Sequence, residues 1–113
     1  MSNEDFYSPE YEERTFARHG QTKTFRVREL SGDEAKRLFD IRDKQGKTDQ
    51  NKLKGLDSRI IATSVVEFDG VNDVPITLEQ AGKLPAKFRR ELVKIAMEIN
   101  GLDEKVGEAV AGD

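Results

Sequence analysis

The sequence predicts a helix-dominated α+β fold, in which a small single domain combines three to four helices with a short β-hairpin or small antiparallel sheet. One stretch alternates apolar and polar residues with the period of a strand, and another is rich in β-branched residues directly before a turn. Two further stretches carry the residue pattern of a capped helix start. With 113 residues, the chain has room for one such domain.

Two to four short strands are predicted. Residues 22–30, TKTFRVREL, place Phe25 and Val27 on one face and threonine and arginine side chains on the other, as in a half-buried strand. Residues 65–68 form the second strand, and the Asp-Gly pair that follows indicates the tight turn of a hairpin. A proline in the other arm of this hairpin places that arm at a sheet edge.

The first predicted helix begins at Ser31, which matches the pattern S-x-x-E with Glu34. In this capping box each side chain bonds the backbone N–H of the other residue. We expect the helix to run to about Gln45 and to stop at Gly46. Its predicted buried residues are Ala35, Leu38 and Phe39.

A second helix is predicted in the middle of the chain and should become a strand near Ser64, where β-branched residues begin. Gly55 lies inside this helical pattern and weakens it. The apolar residues at helical spacing are Leu53, Leu56, Ile60 and Ile61.

The last third of the chain predicts two helices. Thr77 and Gln80 form a second capping box, and Pro85 fits the first turn of a longer helix, where its missing N–H has no cost. That helix should run to about Asn100. Gly101 and the hydrophobic Leu102 then match the left-handed stop of a helix.

Residues 1–21 differ from the rest because they are acidic, hold four of the eight aromatic residues and show no sustained period. We expect a flexible N-terminal arm over residues 1–21, a globular helix-rich domain over residues 22–107 and a frayed tail over residues 108–113. In the alternative, the arm docks its aromatic side chains on this domain or on a partner.

The composition argues against catalysis and against nucleic-acid binding. The chain has no cysteine and one histidine, His19, so it lacks a thiolate nucleophile and the usual ligands of a zinc site. Neither of the two glycine-rich patterns that bind phosphate groups, G-x-x-x-x-G-K-[ST] and G-x-G-x-x-G, occurs in the sequence. The net charge is −3, and residues 22–113 hold equal numbers of acids and bases, so no basic footprint marks a nucleic-acid partner. We expect no enzyme activity, no cofactor and no metal.

The predicted location is the cytoplasm. No apolar run approaches the roughly 18 residues of a membrane span. The first residues show neither the basic nor the apolar region of a signal peptide. We therefore expect no membrane partner.

The helix after Pro85 carries two apolar stripes, whereas a surface helix needs one. At about 100° per residue, one stripe holds Phe88, Leu92, Ile95 and Ile99, and the second, nearly opposite, holds Ala86, Val93 and Met97. Either both stripes are core, or Val93 and Met97 face another subunit or a binding partner. The candidate partner-binding residues are Val93, Met97 and Leu102 and, in the arm, Phe6, Tyr7 and Tyr11.

The order of elements resembles the tail assembly chaperones of long, non-contractile-tailed phages and prophages. A strand leads into a capped helix (FRVRELSGDEAKRLFDI), and after a charged loop a helix enters a strand (SRIIATSVVEFDG). An extended proline segment, a T-x-E-Q helix start, Leu84-Pro85 and a terminal helix that closes on Ile99-Asn100-Gly101-Leu102 follow. The resemblance covers residues 22–107, and the acidic aromatic arm lies outside it.

The resemblance implies a binding role. Such chaperones coat the tape measure protein before other tail proteins polymerise around it, tend to self-associate, are often accompanied by a frameshifted longer form, and are absent from the mature virion. A long helical partner exposes repeated apolar stripes, which many copies of a small charged module could cover. An alternative of another class is a bacterial regulatory adaptor that uses the acidic aromatic arm for protein binding. A third, a small hydrolase, would need a preformed polar cleft.

Overall fold

The computed structural model describes residues 6–102, so the tail predicted at residues 108–113 lies outside them. Between residues 11 and 102 the chain forms four strands and five helices, which confirms the α+β fold. Gly55 separates two helices where the sequence predicts one. The elements are β1 (Tyr11–Arg18), β2 (Gln21–Arg28), α1 (Gly32–Phe39), α2 (Gln50–Lys54), α3 (Leu56–Ser64), β3 (Val65–Phe68), β4 (Asp73–Pro75), α4 (Leu78–Lys83) and α5 (Ala86–Ile99).

The strands form one antiparallel sheet in the order β1-β2-β3-β4, so β1 and β4 are its edges. Phe25 and Val27 of β2 are buried, as predicted, and α5 packs against β1 and β2. Pro75 lies in the edge strand β4, opposite Val66 of β3, as the proline in the hairpin predicted. The predicted change from helix to strand near Ser64 is confirmed, because α3 ends at Ser64 and β3 begins at the next residue.

The expectation of an irregular arm over residues 1–21 is wrong for residues 11–21. β1 pairs with β2 along its whole length, and the domain boundary predicted at residue 22 would cut this hairpin. His19 and Gly20 form the turn, with φ angles of 52° and 74°, as two-residue hairpin loops require. The sequence pattern missed β1 because most of this edge strand is exposed, with only Arg14 and Phe16 partly buried. It therefore lacks an apolar face.

The predicted length of α1 is also wrong, because the helix ends at Phe39 instead of near residue 45. Two aspartates offer the backbone other hydrogen bonds: Asp40 accepts from the N–H of Arg42 at 3.3 Å, and Asp43 accepts from that of Gln45 at 2.9 Å. Ile41 is buried in the core beside them. Of the predicted core residues of α1, Leu38 is buried, and Ala35 and Phe39 are partly buried against the core.

Both predicted capping boxes are present. The Ser31 hydroxyl accepts from the Glu34 N–H at 3.2 Å, and the Glu34 carboxylate accepts from the Ser31 N–H at 3.1 Å. The Thr77 and Gln80 side chains make the same exchange at 3.1 and 3.0 Å. The starts of α1 and α4 are therefore fixed by residues three positions apart in the sequence.

The end of α5 is closed by the predicted left-handed stop. Gly101 has φ of 74° and donates its N–H to the Glu98 carbonyl at 3.0 Å. The Leu102 N–H donates to the Met97 carbonyl at 2.8 Å, which completes a Schellman motif. Asn100 connects this end to the segment before α1, because its Oδ1 accepts from the Leu30 N–H at 2.7 Å.

The centre of the core lies where α3, α5 and the sheet meet. Its largest fully buried side chains are Ile61, Leu92, Val27, Val65 and Ser64. Ser64 keeps its hydroxyl satisfied in this apolar site by donating to the Ile60 carbonyl one turn earlier.

Arg28, near the end of β2, connects its strand to two helices, α1 and α3. Its guanidinium donates to both carboxylate oxygens of Glu34, at 3.2 and 2.8 Å, and to the Thr63 carbonyl of α3 at 3.0 Å. The two bonds that Arg28 donates to Glu34, together with those from Ser31, lower the pKa of Glu34 to about 2. The pair therefore ties the sheet to the start of α1 and to the end of α3.

We expect Leu92→Ala to lower the free energy of unfolding by about 2–5 kcal/mol, because Leu92 has no exposed surface and its loss leaves a cavity. The matched control is Leu78→Ala in α4. Leu78 is 55% exposed, so this change should cost less than about 0.5 kcal/mol. Urea denaturation of both variants measures the difference, and equal losses would contradict the assigned core.

Glu34→Gln should remove part of the dependence of stability on acid. The pKa of Glu34 is about 2 in the folded chain against 4.5 for the free side chain, so its carboxylate stabilises the fold above about pH 4.5. That contribution is lost as the pH falls from about 4.5 towards about 2. The difference in free energy of unfolding between wild type and Glu34→Gln should therefore shrink over this range.

The control for this experiment is Glu79→Gln, which removes the exposed ion pair with Lys83 at 3.1 Å. Such pairs contribute at most about 1 kcal/mol. Denaturant titrations at a series of pH values should leave this variant close to wild type throughout. A difference between wild type and Glu34→Gln that stays constant with pH would contradict the role given to Arg28.

Candidate protein-binding surfaces

Within residues 6–102, no cluster of three histidine, cysteine or acidic side chains is placed to hold a metal ion. His19 lies exposed in the hairpin turn, where its Nε2 accepts from the Nε of Arg18 at 3.0 Å. Across the same residues, every helix is too short or too polar to cross a membrane. Among the described residues, the surfaces on which apolar side chains reach solvent are candidate functional features.

Val93 and Met97 lie one turn apart in the C-terminal half of α5, and Leu102 follows the glycine that ends the helix, where its N–H bonds the Met97 carbonyl. All three are half-buried, and Val93 and Met97 pack against the core. Ala86, the third member of their stripe, is exposed. The second apolar stripe is thus partly covered by the core and partly exposed, which is intermediate between the two alternatives that the sequence leaves open. A role of its exposed part in binding stays a prediction.

The other predicted residues lie at the N-terminal end of the described chain. Phe6 and Tyr7 are 82% and 80% exposed, and their rings meet edge-to-face with centroids 5.2 Å apart. Tyr11, the first residue of β1, is half-exposed. These side chains leave large apolar area in water, as residues of an interaction surface do.

A groove between the β1–β2 hairpin and the α4–α5 corner was not predicted. We call it the aromatic groove, and it encloses about 340 Å³. Phe16 of β1 stacks on Phe88 of α5 with centroids 4.4 Å apart, and it contacts Phe25 of β2 at 5.8 Å. The sequence signal was weak because the groove depends on Phe16, which stands in the strand that the pattern missed. Its further apolar lining is Ile76, Leu84 and Pro85.

The exposed lining of the aromatic groove is basic. Arg18, Lys23 and Lys83 contribute three cations, and Glu67 contributes the one carboxylate. Lys23 Nζ lies 3.2 Å from Glu67, and Lys83 Nζ lies 3.1 Å from Glu79 outside the lining. The groove therefore combines an aromatic interior with a net positive border.

The outer face of the sheet, opposite the helices, satisfies its own polar groups. The Arg26 guanidinium lies 2.7 Å from Glu13 and 3.4 Å from Asp73, and it stacks over the Phe68 ring at 3.7 Å. The Glu13 hydrogen bond is the main cause that raises the pKa of Arg26. Because these groups bond one another across the four strands, this face has less to offer a partner than the apolar surfaces do.

A third exposed apolar group surrounds the β3–β4 hairpin. Val71 in the turn, Val74 in β4 and Leu78 at the start of α4 are exposed. The turn itself is fixed by the Asp69 carboxylate, which accepts from the N–H of Val71 at 2.8 Å and from that of Asn72 at 2.7 Å. These backbone donors lower the pKa of Asp69.

Compared with known proteins, the chain matches no family model, no curated protein and no solved structure. Its function is therefore inferred from its own surfaces and from the order of its elements.

Proposed function

We propose that this chain is a non-enzymatic tail assembly chaperone of a long, non-contractile-tailed phage or prophage. It binds and coats the tape measure protein in the host cytoplasm during tail assembly. The observation that carries a binding role is the exposure of large apolar side chains at two ends of so small a domain. Among residues 6–102 these are Phe6, Tyr7, Tyr11, Val71, Val74 and Leu78.

The order of elements supports the more specific part of the proposal. The resemblance rests on a strand before a capped helix, a helix that enters a strand, an extended proline segment, and two final helices with a glycine stop. Each of these elements is present as β2–α1, α3–β3, β4 and α4–α5. β1 is an addition outside the pattern.

A tape measure protein is a suitable partner on physical grounds. A long helical protein presents apolar stripes that aggregate unless they are covered. A module with 36% charged residues stays soluble on its outer side while it covers such a stripe. Many copies along one chain add their contacts, so that weak single contacts give tight overall binding.

The exposed part of the second stripe on α5 is the proposed tape measure contact, with Val93, Met97 and Leu102 as its apolar residues. Arg90 is exposed and falls within about 20° of Met97 at about 100° per residue. A glutamate at Val93 or Met97 would disturb the fold as well as binding, because both side chains pack against the core. Arg90 therefore allows the contact to be tested without that effect.

We expect Arg90→Glu to reduce capture of co-expressed tape measure protein about tenfold, which corresponds to about 1.4 kcal/mol. The change removes the arginine stem, whose methylene groups can cover apolar surface, and places a short carboxylate beside the apolar stripe of the partner. Pull-down with a candidate tape measure protein measures the effect, and circular dichroism checks that the variant is folded.

Lys87→Glu is the matched control, since Lys87 is exposed on the same helix but lies about 80° from Met97. It should leave capture close to wild type. Equal loss in both variants would show that only the net charge matters. No capture by the wild-type chain would contradict the chaperone function itself.

The exposure of Phe6 and Tyr7 favours the alternative of a regulatory adaptor. In that function, the N-terminal segment is the peptide that a partner protein binds. The same pull-down separates the two functions. In the adaptor, Phe6→Ala with Tyr7→Ala abolishes partner binding and Arg90→Glu has no effect. In the chaperone, Arg90→Glu has the larger effect on the tape measure protein.

A further inference from the structure

The aromatic groove has the chemistry of a site for aromatic side chains that stand next to carboxylates. Phe16, Phe25 and Phe88 line it, and the cations Arg18, Lys23 and Lys83 border it. Its volume of about 340 Å³ lies within the range of ligand pockets, which is about 300–1,000 Å³. Aromatic rings are favoured in such interior positions, and opposite charges at the border orient the segment that carries them.

The chain itself contains a segment of that chemistry. Residues 4–10 read EDFYSPE, so that two adjacent aromatic residues stand between three carboxylates. Phe6 and Tyr7 are 82% and 80% exposed, and Glu10 is exposed beside them. The segment and the groove are therefore complementary in both charge and apolar character.

Phe6 and Tyr7 lie outside the groove of their own chain, and the backbone of the segment is too short to reach its far end. The Glu10 carbonyl accepts from the Glu29 N–H at 2.8 Å, which holds Glu10 at the end of the hairpin away from the groove. Phe16 lies six residues further on, about 20 Å at about 3.3 Å per residue. The four residues from Glu10 back to Phe6 span at most about 14 Å. The groove of a second copy has no such restriction.

We propose that the aromatic groove of one copy binds residues 4–10 of a second copy, with Phe6 and Tyr7 inside the groove and the carboxylates at its basic border. The contact joins two different surfaces, so each copy keeps a free groove at one end and a free segment at the other. Copies therefore add head to tail. The contact involves this chain alone and does not depend on the tape measure protein.

The test is sedimentation velocity of the full chain from micromolar to about millimolar concentration. The wild type should associate progressively, and added salt should weaken the association by screening the border charges. Phe6→Ala with Tyr7→Ala removes the segment's rings, and Lys23→Gln with Lys83→Gln neutralises two border cations. Both double variants alter exposed side chains, so circular dichroism should show native folds, and both should remain monomeric.

Mixing the two double variants gives the sharpest outcome. One variant keeps an intact groove and the other keeps an intact segment, so the mixture should form dimers and nothing larger. Lys44→Gln with Lys54→Gln makes the same change of charge at exposed sites remote from the groove, and it should associate like the wild type.

A wild-type chain that stays monomeric over the whole range would overturn the proposal. So would association that survives either double variant, or a mixture that forms no dimer. Each of these results is obtained without any tape measure protein, so the proposed function would stand or fall separately.

Discussion

β2 is hydrogen-bonded on both edges and buries Phe25 and Val27 against the helical layer, and most of the domain is arranged around it. With 35% hydrophobic residues, the chain can build only one modest core. β2 supplies its sheet side, and α3 and α5 supply Ile61 and Leu92 from the other side. The inner face of β2 therefore forms the base on which the central part of this core is built.

The polar face of β2 also connects neighbouring elements, through hydrogen bonds and ion pairs. Arg28 bonds the glutamate that caps α1 and a carbonyl of α3, and Arg26 bonds acids on β1 and β4. Side chains of one strand thus reach elements on both sides of it in sequence. Glu34 also accepts from the Ser31 N–H, so the local capping box and the ion pair with Arg28 both fix the start of α1 through the same carboxylate.

The features that could be predicted from the sequence are those fixed by residues close together. The capping boxes at Ser31 and Thr77 and the glycine stop at Gly101 depend on contacts three to five residues apart, and each was predicted. β1 was not, because an exposed edge strand has no apolar face and its evidence lies in its pairing with β2. The aromatic groove needs Phe16, Phe25 and Phe88 from three elements, so no local pattern could reveal it. The half-burial of Val93 and Met97 likewise depends on how neighbouring elements cover α5.

The direct passage from α3 into β3 has a consequence for how the chain can vary. No residue separates Ser64 at the helix end from Val65 at the strand start, so this junction has no loop residues that could absorb a change in length. One inserted residue would turn β3 over, so that Val65 would leave the core and the pairing of β3 with β2 and β4 would shift by one residue. The segment between α1 and α2 is a surface loop, where additions are tolerated. Length changes among descendants of this chain should therefore accumulate between residues 42 and 48 and be absent at residue 64.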